Sequence, residues 1–193
     1  MKRMLRGMGA VLLVSMVCTE GLLLTQGRAR EAIPLHLCSI SAMLALAAAW
    51  GKVCQHAMDY LWYIGLPGAL LALVFPSPAQ SAYQGVFTAS YMVTHGMIVL
   101  IVGALMFAGI RPKAGRTARV MLLLQGMAFV AFMVNETLDT NFLFLNAPPV
   151  HSPLEAVYES GYGVYVLALE GLMLALCLVQ SGILRAIEGI CRN

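Results

Sequence analysis

A histidine and a cysteine, His36 and Cys38, lie two residues apart in the stretch 33–40, which reads Ile-Pro-Leu-His-Leu-Cys-Ser-Ile and opens an apolar segment. Ionisable side chains are costly in hydrocarbon and usually have a function there. A thiol attacks an ester carbonyl as its thiolate, and an imidazole is a base that can take its proton. The pair therefore directs attention to nucleophilic chemistry or ligand binding within a membrane.

The composition predicts the setting of this pair. The chain is 60% hydrophobic and 11% charged, whereas soluble domains carry about 25% charged residues. We therefore expect an all-α, polytopic membrane helical bundle, with one domain over residues 1–193. The absence of a basic stripe with interleaved aromatics argues against nucleic acid binding. Five cysteines without CxxC spacing argue against a disulfide framework or a zinc site, so no metal and no other cofactor is expected.

Six apolar segments approach or exceed the roughly 20 residues that a membrane crossing requires. They cover about residues 7–25, 33–50, 59–75, 86–110, 118–138 and 160–184. Pro34 suits the first turn of the second segment, where a missing N–H is harmless. Gly65, Pro67 and Gly68 predict a kink in the third segment.

The basic residues predict the orientation of these six segments. With a cytoplasmic N-terminus, the outer side receives two of the 12 lysines and arginines, Arg28 and Arg30. The cytoplasmic side receives the other ten, Lys2, Arg3, Arg6, Lys52, Arg111, Lys113, Arg116, Arg119, Arg185 and Arg192. Positive loops favour the cytoplasm, so we expect six transmembrane helices in the cell membrane with both termini cytoplasmic.

Most intramembrane polar residues fall at a similar depth in this topology, at about 1.5 Å per helical residue. They are Glu20, His36, Cys38, His95, Asn135 and Glu170, whereas Gln125 lies nearer the inner half. An unpaired carboxylate in hydrocarbon costs several kcal/mol, so Glu20 and Glu170 must be protonated, paired or facing water. The pattern predicts one polar chamber that opens toward the outer side.

The chain resembles the YwaF-type bacterial integral membrane proteins, which are similar to an animal acyltransferase of the endoplasmic reticulum that remodels ether phospholipids. The most specific matching features are the Pro-Leu-His-Leu-Cys stretch that ends at Cys38 and the His95-Gly96 pair. Others are Glu20, Gly65, Gly68, Pro76, Asn135, Asn141, Pro148, Pro149, Tyr165 and Glu170. The chain differs from that family at Phe142, where a tyrosine is usual. Members of that family also have an additional N-terminal helix, which is not expected in this sequence.

This resemblance implies that Cys38 and His95 carry out acyl transfer. In that mechanism His95 accepts the thiol proton and returns it to the leaving alcohol. His36 is a competing base, although residues i and i+2 of a helix do not face each other. Asn135 or Asn141 are candidate oxyanion donors, and Tyr165 joins them in the chamber.

Three classes of function stay open. The first is a Cys/His acyltransferase or lipid-ester hydrolase that acts on membrane phospholipid. The second is a small-molecule binding or transport component, similar to the substrate-binding subunit of an importer, because such a subunit needs an outward polar chamber. The third is a structural or assembly protein with a membrane-protein partner. Membrane lipid is the expected partner in each class, with a lipid or small molecule as ligand in the first two.

Overall fold

The computed structural model describes residues 1–76, 83–150 and 152–190, and these residues form helices and loops without strands. Arg192, which contributes to the charge bias, lies outside the described residues. In chain order the helices are α1 (Lys2–Thr25), α2 (Leu37–Ala49), α3 (Gln55–Tyr60), α4 (Leu66–Val74), α5 (Gln84–Phe107), α6 (Thr117–Leu138), α7 (Leu154–Glu159) and α8 (Tyr162–Ile190). The all-helical prediction is confirmed for this part of the chain.

Five helical stretches of the described residues have the length and hydropathy of membrane crossings. They are α1, the continuous stretch Gln55–Val74 that contains α3 and α4, α5, α6 and α8. Each contains at least 20 residues, which at 1.5 Å per residue spans about 30 Å, the thickness of a bilayer's hydrocarbon core. The molecule is therefore a polytopic membrane protein.

The second predicted segment forms a shorter helix than the range 33–50 suggested. Helix α2 contains 13 residues, or about 20 Å, and begins at Leu37 rather than at Ile33. Pro34 consequently precedes the helix, and His36 has an extended backbone at its N-cap position. A proline disfavours helical geometry in the residue before it, which agrees with an extended approach to α2.

The predicted distortion of the third segment takes the form of a π-helical turn, Leu61–Gly65, between α3 and α4. Pro67 has no N–H, so the carbonyl oxygen of Tyr63 loses its usual donor. Helix α8 supplies replacements: the Cys177 thiol lies 3.8 Å from that oxygen, and the Gln180 side-chain amide donates to the Trp62 carbonyl oxygen at 3.2 Å. Neighbouring helices commonly satisfy backbone freed by proline in membranes.

Small residues allow α1 and α2 to approach closely. A Cβ atom placed on Gly9 would lie 3.0 Å from the Cβ of Ala49, so any side chain here would push the two helices apart by a few tenths of an ångström. Helix α5 packs against both α1 and α2, and α8 contacts both α6 and the π turn. Close packing through small side chains is typical of membrane helices, and here it sets the spacing of the helices around the candidate site.

Candidate functional site

Cys38 lies in the first turn of α2, where Glu20 of α1 and Tyr60 of α3 are close enough to interact with it electrostatically. One carboxyl oxygen of Glu20, Oε2, is buried and has no hydrogen-bond partner among the described residues. A buried polar atom without a partner is rare in native proteins, so this oxygen is a candidate contact for a proton or a ligand.

His95 is 3% exposed on α5, and its ring packs against that of Tyr91 with 4.2 Å between the centroids. Its Nδ1 atom lies 2.7 Å from the Tyr91 carbonyl oxygen. Because a carbonyl oxygen only accepts, Nδ1 carries the proton and Nε2 has the free lone pair. No group of the described residues bonds to Nε2. His95 therefore presents an unoccupied acceptor within the bundle.

The described residues show no hydrogen bond between Cys38 and His95, although their helices pack together. Ser15 of α1 donates to the Ser90 carbonyl oxygen of α5 at 2.8 Å, which places this part of α5 level with Ser15. Glu20, beside Cys38, is five residues or about 7.5 Å further along α1. His95 thus lies deeper in the bundle than Glu20.

The other predicted amides and the tyrosine hold the loop 139–150 that follows α6. Asn135 is 1% exposed and bonds to both backbone groups of Phe142, with Nδ2 to O at 3.0 Å and N to Oδ1 at 2.7 Å. The Asn141 amide donates to the Ala147 carbonyl oxygen at 2.9 Å. The Tyr165 hydroxyl donates to the carbonyl oxygen of Phe144 at 2.6 Å. These side chains therefore fix the loop, and these contacts use the Tyr165 hydroxyl proton and one N–H of each amide.

His36 connects this loop to the Cys38 stretch. Its ring lies edge-on to Phe142, with 5.0 Å between the centroids, and 5.8 Å from the ring of Phe144. Contacts between aromatic rings at these distances stabilise a structure by roughly 0.5–1.5 kcal/mol. The 139–150 loop thus covers the N-terminal end of α2, two residues before the thiol.

Glu170 belongs to a different contact. Its Oε2 accepts a hydrogen bond of 2.5 Å from the side-chain amide of Gln125, so the two residues link α8 to α6. Gln125 had been the exception to the shared polar depth, and it is the partner of Glu170. Gln125 is therefore the partner that a carboxyl group inside a membrane needs, and this contact does not involve Cys38.

Two polar groups were not predicted from the sequence. In the first, the Ser15 hydroxyl also lies 2.7 Å from the Thr94 hydroxyl, which cross-links α1 and α5. In the second, the carboxylate of Asp59 is 3% exposed and accepts bonds of 2.9 Å from the Gln55 amide and from the Lys113 backbone N–H. Ser90 and Thr94 are four residues apart and therefore on one helix face. This spacing could have predicted a polar contact of α5 with a neighbouring helix.

The fold and these polar contacts define an all-helical integral membrane protein with a thiol, a carboxyl and an imidazole inside the bundle. The chain belongs to the TMEM164 family, whose sequence pattern it matches over residues 1–180. The match covers α1 to α7 and most of α8. No curated protein and no solved structure shows significant similarity to it.

Proposed function

We propose that Cys38 and His95 catalyse acyl transfer from, or hydrolysis of, a membrane phospholipid ester. The observation that carries the proposal is an apolar groove of about 550 Å³ that reaches the N-terminal end of α2, the helix whose first turn contains Cys38. Leu35 and Ile40, on either side of Cys38 in the sequence, line this groove together with residues of α6. An acyl chain in the groove would bring its ester carbonyl toward the sulfur.

The groove has the dimensions of a lipid chain. Its α6 wall extends from Arg119 to Val130, eleven residues or about 16 Å along the helix. Apart from Arg119 at one end, its lining consists of apolar residues and glycine: Leu35, Ile40, Leu122, Leu123, Gly126, Met127 and Val130. This lining suits a hydrocarbon chain and offers little to a polar small molecule.

The chemistry follows from the thiol and the two proton acceptors. The Cys38 thiolate attacks the ester carbonyl, an acyl-thioester forms, and the lysolipid alcohol leaves with a proton. A second alcohol or a water molecule then attacks the thioester and regenerates the thiol. Glu20, which interacts electrostatically with the thiol, and His95, with its free Nε2 lone pair, are the two candidate acceptors for this proton. The resemblance to YwaF-type proteins and to the ether-phospholipid acyltransferase supports the pairing of Cys38 with His95.

The topology of the proposal uses α2 as the sixth crossing. Its 13 residues reach about 20 Å, and residues 33–36 precede it on the outer side in this topology. The Lys/Arg bias then puts both termini on the cytoplasmic side of a cell membrane. Cysteine accessibility labelling in intact cells tests this arrangement, and strong outside labelling at a cysteine engineered between Arg111 and Arg119 would contradict it.

The catalytic proposal is tested by lipid-ester turnover of the purified chain, with mass spectrometry to detect an acyl group on Cys38. Cys38→Ser should abolish the thioester, and His95→Gln and Glu20→Gln should slow its formation. Cys18→Ser is the matched control because this free thiol also lies half-buried in the bundle, on α1. Full turnover in Cys38→Ser would refute the nucleophile.

The groove is tested separately with Gly126→Leu. A Cβ atom on Gly126 meets nothing within 4 Å, so the leucine projects into the groove without disturbing the packing. We expect this variant to lose turnover of long-chain esters while keeping that of short-chain esters. Equal loss for both chain lengths would show that the groove does not hold the acyl chain.

A further inference from the structure

A second groove lies between the start of α6 and the C-terminal half of α8. Its volume is about 570 Å³, and it is formed by the residues Gly115, Thr117, Ala118, Met121, Leu174, Leu178, Ser181, Gly182 and Arg185. Asn135 and the 139–150 loop follow the opposite end of α6. This groove shares no lining residue with the first groove, so the two are separate.

The lining changes from polar to apolar along the two helices. Thr117 and Arg185 lie at the end near the 108–116 loop. Leu174 and Leu178 lie earlier on α8, farther from that loop. Leu174 and Arg185 are eleven residues apart, or about 16 Å. A groove with a cationic end and an apolar end of this length matches an amphiphile with an anionic head and a hydrocarbon chain.

The polar end is held in place by two contacts. The Ser181 hydroxyl accepts a hydrogen bond of 3.2 Å from the Gly115 backbone N–H, which fixes the 108–116 loop against α8. Arg116 points to the buried Asp59, with 3.8 Å between Nε and Oδ2. The groove is therefore built from fixed elements.

Arg185 is exposed and has no hydrogen bond or ion pair with any part of the chain that the structure describes. Glu188, three residues further along α8, forms no ion pair with it there. Other basic residues gather at this end of the bundle, namely Arg111, Lys113 and Arg119. The charge at the mouth of the groove is thus complementary to an anion at a membrane surface.

We propose that this groove binds an anionic phospholipid. Its phosphate lies at Arg185 and the Thr117 hydroxyl, and one acyl chain lies along Met121, Leu174 and Leu178. The lipid joins α6 to α8 at the basic end of the bundle. At the same end, the Ser181 hydroxyl joins α8 to the 108–116 loop. This inference does not rest on Cys38, because its readout is binding and not turnover.

Native mass spectrometry of the full chain in detergent micelles tests the head-group contact. We expect wild-type protein to retain one phosphatidylglycerol in preference to phosphatidylcholine with the same acyl chains. Arg185→Gln should weaken the retention of phosphatidylglycerol about fivefold, which corresponds to about 1 kcal/mol for one basic residue near a membrane surface. Arg6→Gln is the matched control, because Arg6 is exposed on α1 but does not line the groove.

The apolar end is tested with Gly182→Leu. A Cβ atom on Gly182 or on Gly171 meets nothing within 4 Å, and the two glycines lie eleven residues apart on nearly the same face of α8. Gly182→Leu should reduce the binding of both lipids, and Gly171→Leu should not.

Three results would overturn the proposal. One is equal retention of phosphatidylglycerol by Arg185→Gln and wild type. Another is equal loss of lipid in Gly171→Leu and Gly182→Leu. The third is displacement of the lipid by millimolar inorganic phosphate, because that result would assign the site to a free anion and leave the apolar wall without a role.

Discussion

The loops before and after α6 are held in place by different chemistry. In the loop 108–116, the Asp59 carboxylate accepts the backbone N–H of Lys113, and the Tyr63 hydroxyl donates to the carbonyl oxygen of the same residue at 3.1 Å. In the loop 139–150, the neutral amides of Asn135 and Asn141 bind the backbone. A buried anion suits the first loop because its neighbours are cationic, whereas the second loop is fixed without charge.

The backbones of the two loops differ as well. The left-handed positions of the loop 108–116 are glycines, Gly109 and Gly115, with φ of 82° and 75°. The loop 139–150 instead places Leu143 and Phe144 at φ of 59° and 57°. Bulky residues in this region are strained by roughly 1–2 kcal/mol each, and such strain concentrates at functional sites. The comparison therefore makes the loop beside His36 the candidate for a functional role.

The largest effect is expected from removal of the buried anion. Asp59→Ala leaves the Lys113 N–H and Arg116 without their partner, which should lower the free energy of unfolding by about 2–3 kcal/mol, since Arg116 is partly solvated. Equilibrium unfolding in mixed micelles measures the change. Asp59→Asn keeps an acceptor for Lys113 and should lose about 1 kcal/mol. Equal losses in the two variants would show that the charge of Asp59 does not contribute.

The neutral clamp should respond less strongly. Asn135→Ala removes three hydrogen bonds, two to Phe142 and one of 3.0 Å from the Thr140 hydroxyl. We expect a loss of about 2 kcal/mol and faster hydrogen exchange confined to residues 139–150. The control is Thr137→Ala, because the exposed Thr137 hydroxyl bonds only to carbonyls of its own helix. Faster exchange across the whole chain would contradict a local clamp.

The difference in backbone strain can be measured with two reciprocal changes. Gly115→Ala places a Cβ at a left-handed position with open space around it, so it should cost about 1–2 kcal/mol through backbone strain alone. Leu143→Gly relieves strain but increases the flexibility of the unfolded chain, so its net effect should stay below about 0.5 kcal/mol. A large loss in Leu143→Gly would mean that its side chain, not the loop geometry, is what matters.

A smaller effect than in the three alanine variants is expected for Tyr165→Phe. This variant keeps the ring, which packs edge-on against Tyr158, and removes one hydrogen bond to the Phe144 carbonyl oxygen. A loss of about 1 kcal/mol or less should follow. If the loop positions His36 over the Cys38 stretch, lipid-ester turnover should fall even though most of the protein stays folded. Unchanged turnover with unchanged exchange in residues 139–150 would remove the loop from the proposed site.

The sequence by itself determined the helices, because a 20-residue apolar run has few stable conformations in a membrane. Five of the six predicted segments form helices that can cross, and the distortion near Pro67 was predicted from the missing N–H. The start of α2 at Leu37 was not predicted, because apolarity marks what lies in the membrane, whereas a helix boundary depends on the local backbone.

Only the tertiary structure decided which polar residues meet. Depth along a helix is available from residue counting. It suggested a partner for Glu170, which is Gln125, whereas Oε2 of Glu20 has no hydrogen-bond partner among the described residues. The rotation of each helix about its axis is set by packing, as at Gly9 beside Ala49. That rotation joins Glu170 to Gln125, turns Asn135 and Tyr165 to the loop, and brings Glu20 to Cys38. Weak amphipathic patterning in a membrane helix leaves this rotation undetermined, because lipid and core are equally apolar.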